Sequence, residues 1–252
     1  MNPSNSLASD AWAALSKNKA AWFSAIALTT MVLLVLLGPL VSPYEVDQTN
    51  WSKLAKPPSM QDGHVFGTDD LGRDLFVRTM YGGRISLMVG IVATLVSVLI
   101  GVSYGAISGF IGGKVDSIMM RIVDVLYAMP FLFFVILLMV FFGRSILLIF
   151  VAIGAVNWLD IARIVRGQTL TIKGKEFVDA AKAGGVSTFR IIFRHIVPNL
   201  MGIVVVYVAL TVPQVILVES FLSFLGLGVQ EPMTSWGALV NQGARQMESS
   251  PW

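Results

Sequence analysis

Long stretches without a charged residue are the feature that most constrains how this chain of 252 residues can fold. A helix crosses the hydrocarbon core of a bilayer with about 20 residues. Four uncharged stretches reach that length: Ala20–Tyr44, Ile85–Gly113, Val125–Gly143 and His195–Val218. A fifth stretch, Ser145–Leu159, is shorter, but it makes one helix with the apolar residues that follow Asp160.

The uncharged stretches predict an all-α, polytopic transmembrane helix bundle. The spans are expected at about residues 21–41, 85–107, 122–142, 146–164 and 199–218. Composition agrees, because 55% of the residues are hydrophobic and 13% are charged, against roughly 25% charged residues in a soluble domain. The mean hydropathy is +0.75. A soluble fold of this size would leave too much apolar surface in water.

The two ends of the chain bear on the number of helices. The first span has an alternative interpretation as a cleaved signal peptide. Its apolar core is longer than the roughly 7–15 residues of a signal peptide, and Gly38-Pro39-Leu40 is not a small-x-small cleavage site. We favour an uncleaved helix. The sequence given ends at Trp252, an aromatic residue typical of a membrane interface, and we expect a sixth span to follow it.

The positions of Lys and Arg predict the orientation. With the N-terminus inside, eleven of these residues lie on the inner side and seven on the outer side, and the densest basic stretch, 163–194, is inside. This orientation gives an inner N-terminus (1–20) and a transmembrane domain (21–252). The extramembrane segments of that domain are then an outer segment at 42–84, an inner segment at 165–198 and a second outer segment at 219–252.

The first outer segment leaves two interpretations open. From Asp70 to Tyr81 the apolar residues recur near helical spacing, which indicates an amphipathic helix at the membrane surface leading into the second span. The alternative is a solvated cap. In the last outer segment, the apolar run from Phe221 to Gly228 is interpreted as an interfacial or re-entrant helix.

The inner segment has the pattern helix, glycine turn, helix. Helical residues from Glu176 precede Gly184-Gly185, and a second helix follows Ser187, a plausible N-cap. An apolar stripe in the second helix either lies on the membrane surface or forms part of a knob for a cytoplasmic partner. The stripe consists of Phe189, Ile192, Phe193 and Ile196.

Two acids near span ends, Asp160 and Glu219, are polar candidates within the membrane. Asp160 is a proton-path residue or, as we favour, a partner of Arg163 or Arg166 at helical spacing. For Glu219 we favour a structural carboxylate, either reaching the headgroups or bonded within the bundle. Pro130 and Pro213 are expected to kink spans three and five. Glycines in the second span (Gly90, Gly101, Gly105 and Gly109) predict close helix packing.

Enzymatic chemistry finds little support in the sequence. Gly112-Gly113-Lys114 lacks the upstream glycine and the following Ser or Thr of a phosphate-binding loop. Two histidines and no cysteine are too few ligands for a dedicated zinc site, so we expect no metal. We also expect no catalytic residue. A net charge of +3 is too small to indicate nucleic acid as a partner.

The inner segment resembles the coupling loop of bacterial ABC importer permeases, which reads Glu-Ala-Ala, three residues, Gly, nine residues, Ile-x-Leu-Pro. Here Asp179-Ala180-Ala181, Gly185 and Pro198 take the motif positions, with His195 and Val197 in place of Ile and Leu. The resemblance implies an ATPase-coupling loop. Its residues are Glu176, Asp179, Ala180, Ala181, Gly184, Gly185, Phe189, Phe193, Arg194 and Pro198.

Further stretches, at 64–87, 158–167, 219–228 and 231–237, extend the resemblance over nearly the whole chain. They are similar to the C-type inner-membrane permease subunits of bacterial oligopeptide and dipeptide ABC importers, in the binding-protein-dependent transport permease family. In that family a signature precedes the second helix, on the periplasmic side. Its counterparts here are His64, Gly67, Thr68, Asp69, Gly72, Arg73, Asp74, Arg78 and Arg84.

The resemblance implies a type I importer permease that takes up oligopeptides across the inner membrane, or else dipeptides, glutathione, nickel complexes or cell-wall peptides. Its implied partners are a second homologous permease, two cytoplasmic ATPase subunits and a periplasmic or lipid-anchored peptide-binding protein. ATP and Mg would be bound by the ATPase subunits, and no cofactor by this chain. The alternatives from other classes are an ion- or proton-coupled carrier, with Asp160 and Glu219 as relay groups, and a membrane scaffold subunit.

Overall fold

The computed structural model describes residues 16–143 and 145–252, with only the backbone at 146–149. Most of the predicted inner N-terminus, 1–20, lies outside these residues. The elements, in chain order, are α1 (Lys19–Val41), α2 (Leu75–Ile111), α3 (Gly113–Ala128), α4 (Phe131–Phe142), α5 (Ile146–Lys173), α6 (Glu176–Ala183), α7 (Thr188–Ile191), a π-helical turn (Ile192–Ile196), α8 (Val197–Phe224) and α9 (Trp236–Arg245). The described part holds isolated β-bridges but no strand, which confirms the all-α fold class.

Three helical segments are long and apolar enough to cross a membrane: α1, α2 and the continuous path Thr188–Phe224. The pair α3 and α4 qualifies together as a fourth segment. The predicted span at 146–164 is helical, as part of α5, but it is not among the segments that qualify. Five spans therefore stay a prediction.

The described residues divide into two compact units, one made of residues up to 84 together with 247–252, and the other within 85–246. In the first unit, α1 begins after Asn18, whose side chain accepts hydrogen bonds from the amides of Ala20 and Ala21. Gly38 of α1 lies against Met80 of α2, so closely that a Cβ at position 38 would be 2.7 Å from the Met80 Cγ. Between these helices, residues 42–74 form an irregular segment folded around buried polar side chains.

The second unit is built on close contacts between α2, α5 and α8. The predicted packing role of the span-two glycines is confirmed, since Gly101, Gly105 and Gly109 all lie against α5, and Gly90 lies against Ile216 of α8. The spacing of four puts Gly101, Gly105 and Gly109 on one face of α2. The absence of side chains there lets the backbones of α2 and α5 approach each other.

The third predicted span bends at Pro130 as expected, but through a break between two helices rather than a kink within one helix. α3 ends at Ala128, and α4 starts at Phe131 with its axis turned by 84°. Met129 between them has extended backbone angles, as the steric clash with a following proline favours. Pro213, by contrast, lies inside α8, as predicted.

The interfacial or re-entrant helix predicted from Phe221 to Gly228 is not a separate helix. α8 continues to Phe224, so the apolar residues from Phe221 belong to the same helix as the fifth predicted span. Leu222 is buried there, which holds the extra turn in the core. The chain turns only at Gly226, with φ of +76°.

Candidate functional site

The glycine-turn segment, residues 174–198, carries the predicted coupling-loop residues. Its first helix runs from Glu176 to Ala183, the bounds expected from the sequence, and Glu176 lies in the first turn, where the helix dipole favours an acid. The chain reverses at Gly184-Gly185 and enters the second helical stretch after Ser187.

Backbone hydrogen bonds form the turn itself. The amide of Val186 donates to the carbonyl of Ala181 at 3.1 Å, and the amide of Gly185 donates to the carbonyl of Lys182 at 3.0 Å. These are the two bonds of a Schellman motif. Gly185 has φ of +74°, a left-handed conformation that disfavours residues with a Cβ. The sharp reversal therefore depends on glycine at this position.

One face of the segment is anchored in the core of the second unit. Four of its apolar residues are almost fully buried: Val178, Ile191, Ile192 and Ile196. They belong to the same apolar cluster as Val102, Ala106 and Phe110 of α2 and Ile161 and Val165 of α5. The segment therefore packs directly on α2 and α5.

The predicted coupling residues lie mainly on the opposite, exposed face. Glu176, Asp179, Ala180, Gly184, Gly185, Phe189, Arg194 and Pro198 are exposed, whereas Ala181 and Phe193 are half-buried. The expected apolar stripe is therefore split, because Ile192 and Ile196 point into the core while Phe189 is 70% exposed. The Phe189 ring rests on that of Phe193, 4.5 Å between centroids.

Pro198 lies within a continuous helical path and does not interrupt it. It is the second residue of α8, directly after the π-helical turn, and it has no amide hydrogen to donate there. A π-helical turn at Ile192–Ile196 joins α7 to α8, so the helical path is continuous from Thr188 to Phe224. The second helical stretch of the segment and the membrane helix are therefore one continuous helix.

The exposed face carries charges of both signs. Lys182 Nζ lies 3.0 Å from the Asp179 carboxylate, in a solvent-exposed pair. Exposed pairs of this kind contribute little stability, so both side chains are free to exchange for a partner's. An exposed aromatic ring, a glycine turn and mixed charges suit a protein surface rather than a reaction centre.

The signature segment, residues 64–84 of the first unit, is organised around Asp69. One Asp69 oxygen accepts from the amides of Leu71 and Arg73, each at 2.9 Å, and the other accepts from Arg73 Nε at 2.7 Å. The same oxygen lies 3.5 Å from Nε of Arg78, whose side chain is fully buried. The carboxylate thus compensates two buried guanidinium groups.

Asp74 is the second buried acid of the signature segment. Its Oδ1 accepts from the amide of Val77 at 2.8 Å, so it caps the start of α2, and its Oδ2 lies 2.8 Å from His64 Nδ1. Tyr44 stacks on the His64 ring, with centroids 4.4 Å apart. The helix expected from Asp70 begins only at Leu75, and Asp69, Arg73 and Asp74 before it are buried rather than solvated.

The remaining signature residues support the same loop. Thr68 is buried, and its hydroxyl accepts from the Lys56 amide at 2.8 Å. Gly67 and Gly72 have φ of +78° and +72°, and a Cβ at Gly72 would collide with the carbonyl of Asn50. Arg84 stands apart from this cluster and bonds to α1.

The two intramembrane candidates have different surroundings. Glu219 is fully buried in α8 and accepts hydrogen bonds from Ser86 at 3.0 Å and from Ser223 at 2.7 Å. The Trp236 amide donates to the same Ser86 hydroxyl at 3.2 Å. Glu219 is thus bonded within the bundle, one of the structural alternatives favoured from the sequence.

Asp160 is exposed, and the expected pairing with Arg163 or Arg166 is wrong. Arg163 instead pairs with Asp124 of α3 at 2.8 Å, and Arg166 pairs with Asp116 of α3 at 2.6 Å. Sequence reasoning missed both inter-helical pairs. The available signal was that α3 presents two acids and α5 two arginines, but spacing within one helix does not show which helices are neighbours.

The Asp116 pair is the more enclosed of the two. Two guanidinium nitrogens of Arg166, Nε and Nη2, each donate to the Asp116 carboxylate at 2.6 Å. Ser108 Oγ donates to the same carboxylate at 2.5 Å. A bidentate geometry fixes the relative position of the two helices. No cluster of metal-ligating side chains occurs within residues 16–143 and 145–252.

Two family profiles match the chain. The profile of the family described as binding-protein-dependent transport system inner membrane component matches residues 97–249. That described as N-terminal TM domain of oligopeptide transport permease C matches residues 6–58.

Curated relatives match over nearly the whole chain. The oligopeptide transport system permease protein OppC of Escherichia coli (strain K12) is 60% identical over 247 residues, which cover 98% of this chain and 82% of the relative. OppC of Haemophilus influenzae is 55% identical, over 98% of this chain and 79% of the relative. The dipeptide transport system permease protein DppC of Bacillus subtilis (strain 168) is 49% identical, over 99% and 78%.

Proposed function

Because this chain belongs to the family of inner membrane components of binding-protein-dependent transport systems, we propose that it is a permease subunit of an ATP-driven importer of oligopeptides. One observation carries the proposal: the 60% identity to an oligopeptide permease over 98% of the chain. In this proposal the chain lies in the inner membrane with its N-terminus in the cytoplasm, and with periplasmic segments at 42–84 and 219–252.

The proposed complex contains a second homologous permease, two cytoplasmic ATPase subunits and a periplasmic or lipid-anchored peptide-binding protein. This chain forms the pathway together with the second permease. It binds no cofactor and hydrolyses no ATP, since ATP and Mg belong to the ATPase subunits. The absence of a phosphate-binding loop in the sequence supports this division.

The glycine-turn segment is the proposed contact with one ATPase subunit. Its exposed face, from Asp179 to Phe189, enters a groove of that subunit, in the manner of a short helix bound by a partner. Its buried face lies on α2 and α5 and continues into α8. When ATP closes the ATPase pair, the segment moves and shifts the helices between inward-open and outward-open arrangements.

A dipeptide importer is the second candidate, and one observation favours it: the 49% identity to a dipeptide permease over 99% of the chain. Both candidates share the ATPase contact and differ only in cargo length. Uptake of labelled dialanine against trialanine by the same cells separates them.

The partner assignments are tested by co-purification of the tagged protein from gently solubilised membranes. We expect a second permease and ATPase subunits in the eluate. A variant lacking residues 179–185 is expected to insert in the membrane and keep the second permease, but to lose the ATPase subunits. Retention of the ATPase subunits by this variant would contradict the coupling role.

A further inference from the structure

A cavity of about 310 Å³ opens in the second unit where α3 breaks from α4. Its walls come from four helices, and its polar members are Tyr127, Asn157, Asp160 and Gln214. The volume lies at the lower end of the range of ligand pockets, about 300–1,000 Å³. Secondary transporters form substrate sites at interrupted membrane helices, and the break between α3 and α4 lines this cavity in the same way.

Asp160 is the charged residue in the lining of this cavity. Within the described part of the chain, its carboxylate makes no hydrogen bond or ion pair, because the neighbouring arginines are engaged by α3: Arg163 by Asp124 and Arg166 by Asp116. A carboxylate on a membrane helix is costly unless it faces a watery cavity or a bound cation. The two ion pairs therefore leave Asp160 available for a ligand.

The surroundings of Asp160 reinforce its preference for a cation. The C-terminal end of α3, at Tyr127 and Met129, lines the same cavity, and the last carbonyls of a helix carry partial negative charge. Gln214 adds an amide, and Asn157 donates to the carbonyl of Ile153 at 2.9 Å, which leaves its own oxygen as an acceptor. Amide side chains of this kind pair well with peptide groups.

We propose that this cavity binds the transported peptide during passage, with Asp160 holding the α-ammonium group and Asn157 and Gln214 contacting the first peptide bonds. The inference rests on the proposed function, since it names the contact of the cargo within the pathway. The shared chemistry is a cationic nitrogen, and a cation supplied by the second permease is the competing source.

The chain has no cysteine, so a single introduced cysteine reports on the cavity in the complete importer. Val156→Cys places a thiol in the cavity one helical turn before Asp160. Thr171→Cys, exposed on the same helix, is the matched control. Each is treated with a cationic aminoethyl or an anionic sulfonatoethyl methanethiosulfonate, and the labelled fraction of this subunit is measured by mass.

At position 156 we expect the cationic reagent to be favoured over the anionic one about tenfold more than at position 171, because the Asp160 carboxylate attracts the first and repels the second. Asp160→Asn should remove this preference. Trialanine delivered by the binding protein should slow labelling at 156 and not at 171, and N-acetyl-trialanine should protect less.

Equal reagent preference at the two positions would overturn the proposal, as would an absence of protection by trialanine. A thiol at 156 that reacts with neither reagent would show that the second permease fills the cavity, which also overturns it. Uptake of trialanine by the same vesicles is measured in parallel. If the wild-type importer shows no uptake, the proposed function fails. If uptake is normal and labelling is unprotected, only the cavity assignment fails.

Discussion

Arg84 donates the hydrogen bond that Pro39, which has no amide hydrogen, cannot donate inside α1. Its Nε donates to the carbonyl of Val35 at 3.0 Å, and Val35 is the residue whose helical partner would be the amide of residue 39. A proline inside α1 has no such amide. Arg84 also donates to the carbonyl of Leu36. The arginine therefore satisfies the backbone at the proline and ties α1 to the start of α2.

Arg84→Met should lower the free energy of unfolding of the detergent-solubilised protein by about 1–3 kcal/mol, because the Val35 carbonyl loses its donor. In a Pro39→Ala background the same change should cost clearly less, since the alanine amide can replace the arginine. Denaturant titration of the four proteins gives the coupling between the two sites. An equal cost in both backgrounds would contradict the compensation.

Asp69 and Asp70 are adjacent acids with opposite exposure. Asp69→Asn removes the charge that faces buried Arg73 and Arg78, and we expect a loss of about 3–5 kcal/mol, as for breaking a buried ion pair. Asp70 is exposed, and Asp70→Asn should change stability by less than about 0.5 kcal/mol. Thermal unfolding of both variants measures the difference. Similar losses of stability in the two variants would mean that the buried ion pairs of Asp69 do not stabilise this unit.

Gly105 allows α2 and α5 to touch. A Cβ there would press on the carbonyl of Ala162 and lie 2.9 Å from the amide nitrogen of Arg166, both of them backbone atoms. Gly105→Ala should therefore destabilise the protein by about 1–3 kcal/mol.

Gly202 in α8 is the control for this packing prediction, because nothing lies within 4 Å of its Cβ position. Gly202→Ala should be neutral or stabilising by up to about 1 kcal/mol, the difference in helix propensity. The two variants are compared by unfolding in detergent. If Gly105→Ala is tolerated as well as Gly202→Ala, the close contact is incorrect.

Gly185 and Gly184 are neighbouring glycines of the turn, but only Gly185 has a left-handed conformation. Substitutions at the two positions therefore test whether the turn needs that conformation. Gly185→Asp places a side chain at φ of +74° and on the exposed face, so we expect uptake to be abolished while the protein still inserts in the membrane. Gly184 has φ of −76°, and Gly184→Ala should retain most uptake. Peptide uptake and the amount of protein in the membrane are measured for each variant. Normal uptake by Gly185→Asp would refute the coupling role of the turn.

The sequence predicted what depends on local chemistry. Uncharged stretches located the long helices, and the glycine pair at 184–185 located the turn between two helices. The span-two glycines identified a packing face, because a spacing of four is a property of one helix. The end of α3 at Ala128 was missed, since Pro130 was interpreted as a kink inside the helix although it forces the preceding residue out of helical angles.

What could not be predicted depends on contacts between distant residues. The pair of Asp116 with Arg166 joins residues 50 positions apart, whereas helical spacing offered Asp160 as a nearer partner. A surface helix or a solvated cap was expected before the second span, because composition cannot show that Asp69 faces Arg73 and Arg78. Burial of a charge is decided by its partner, and the partner is set by the fold.

Energy coupling is the most direct test of the account as a whole. Uptake of labelled trialanine is measured in cells that contain the complete importer and lack ATP synthase, so that ATP and the proton gradient can be changed separately. The account predicts that uptake stops when ATP is depleted and continues when an uncoupler removes the gradient. Uptake that ignores ATP depletion and stops with the uncoupler would contradict it and favour a proton-coupled carrier.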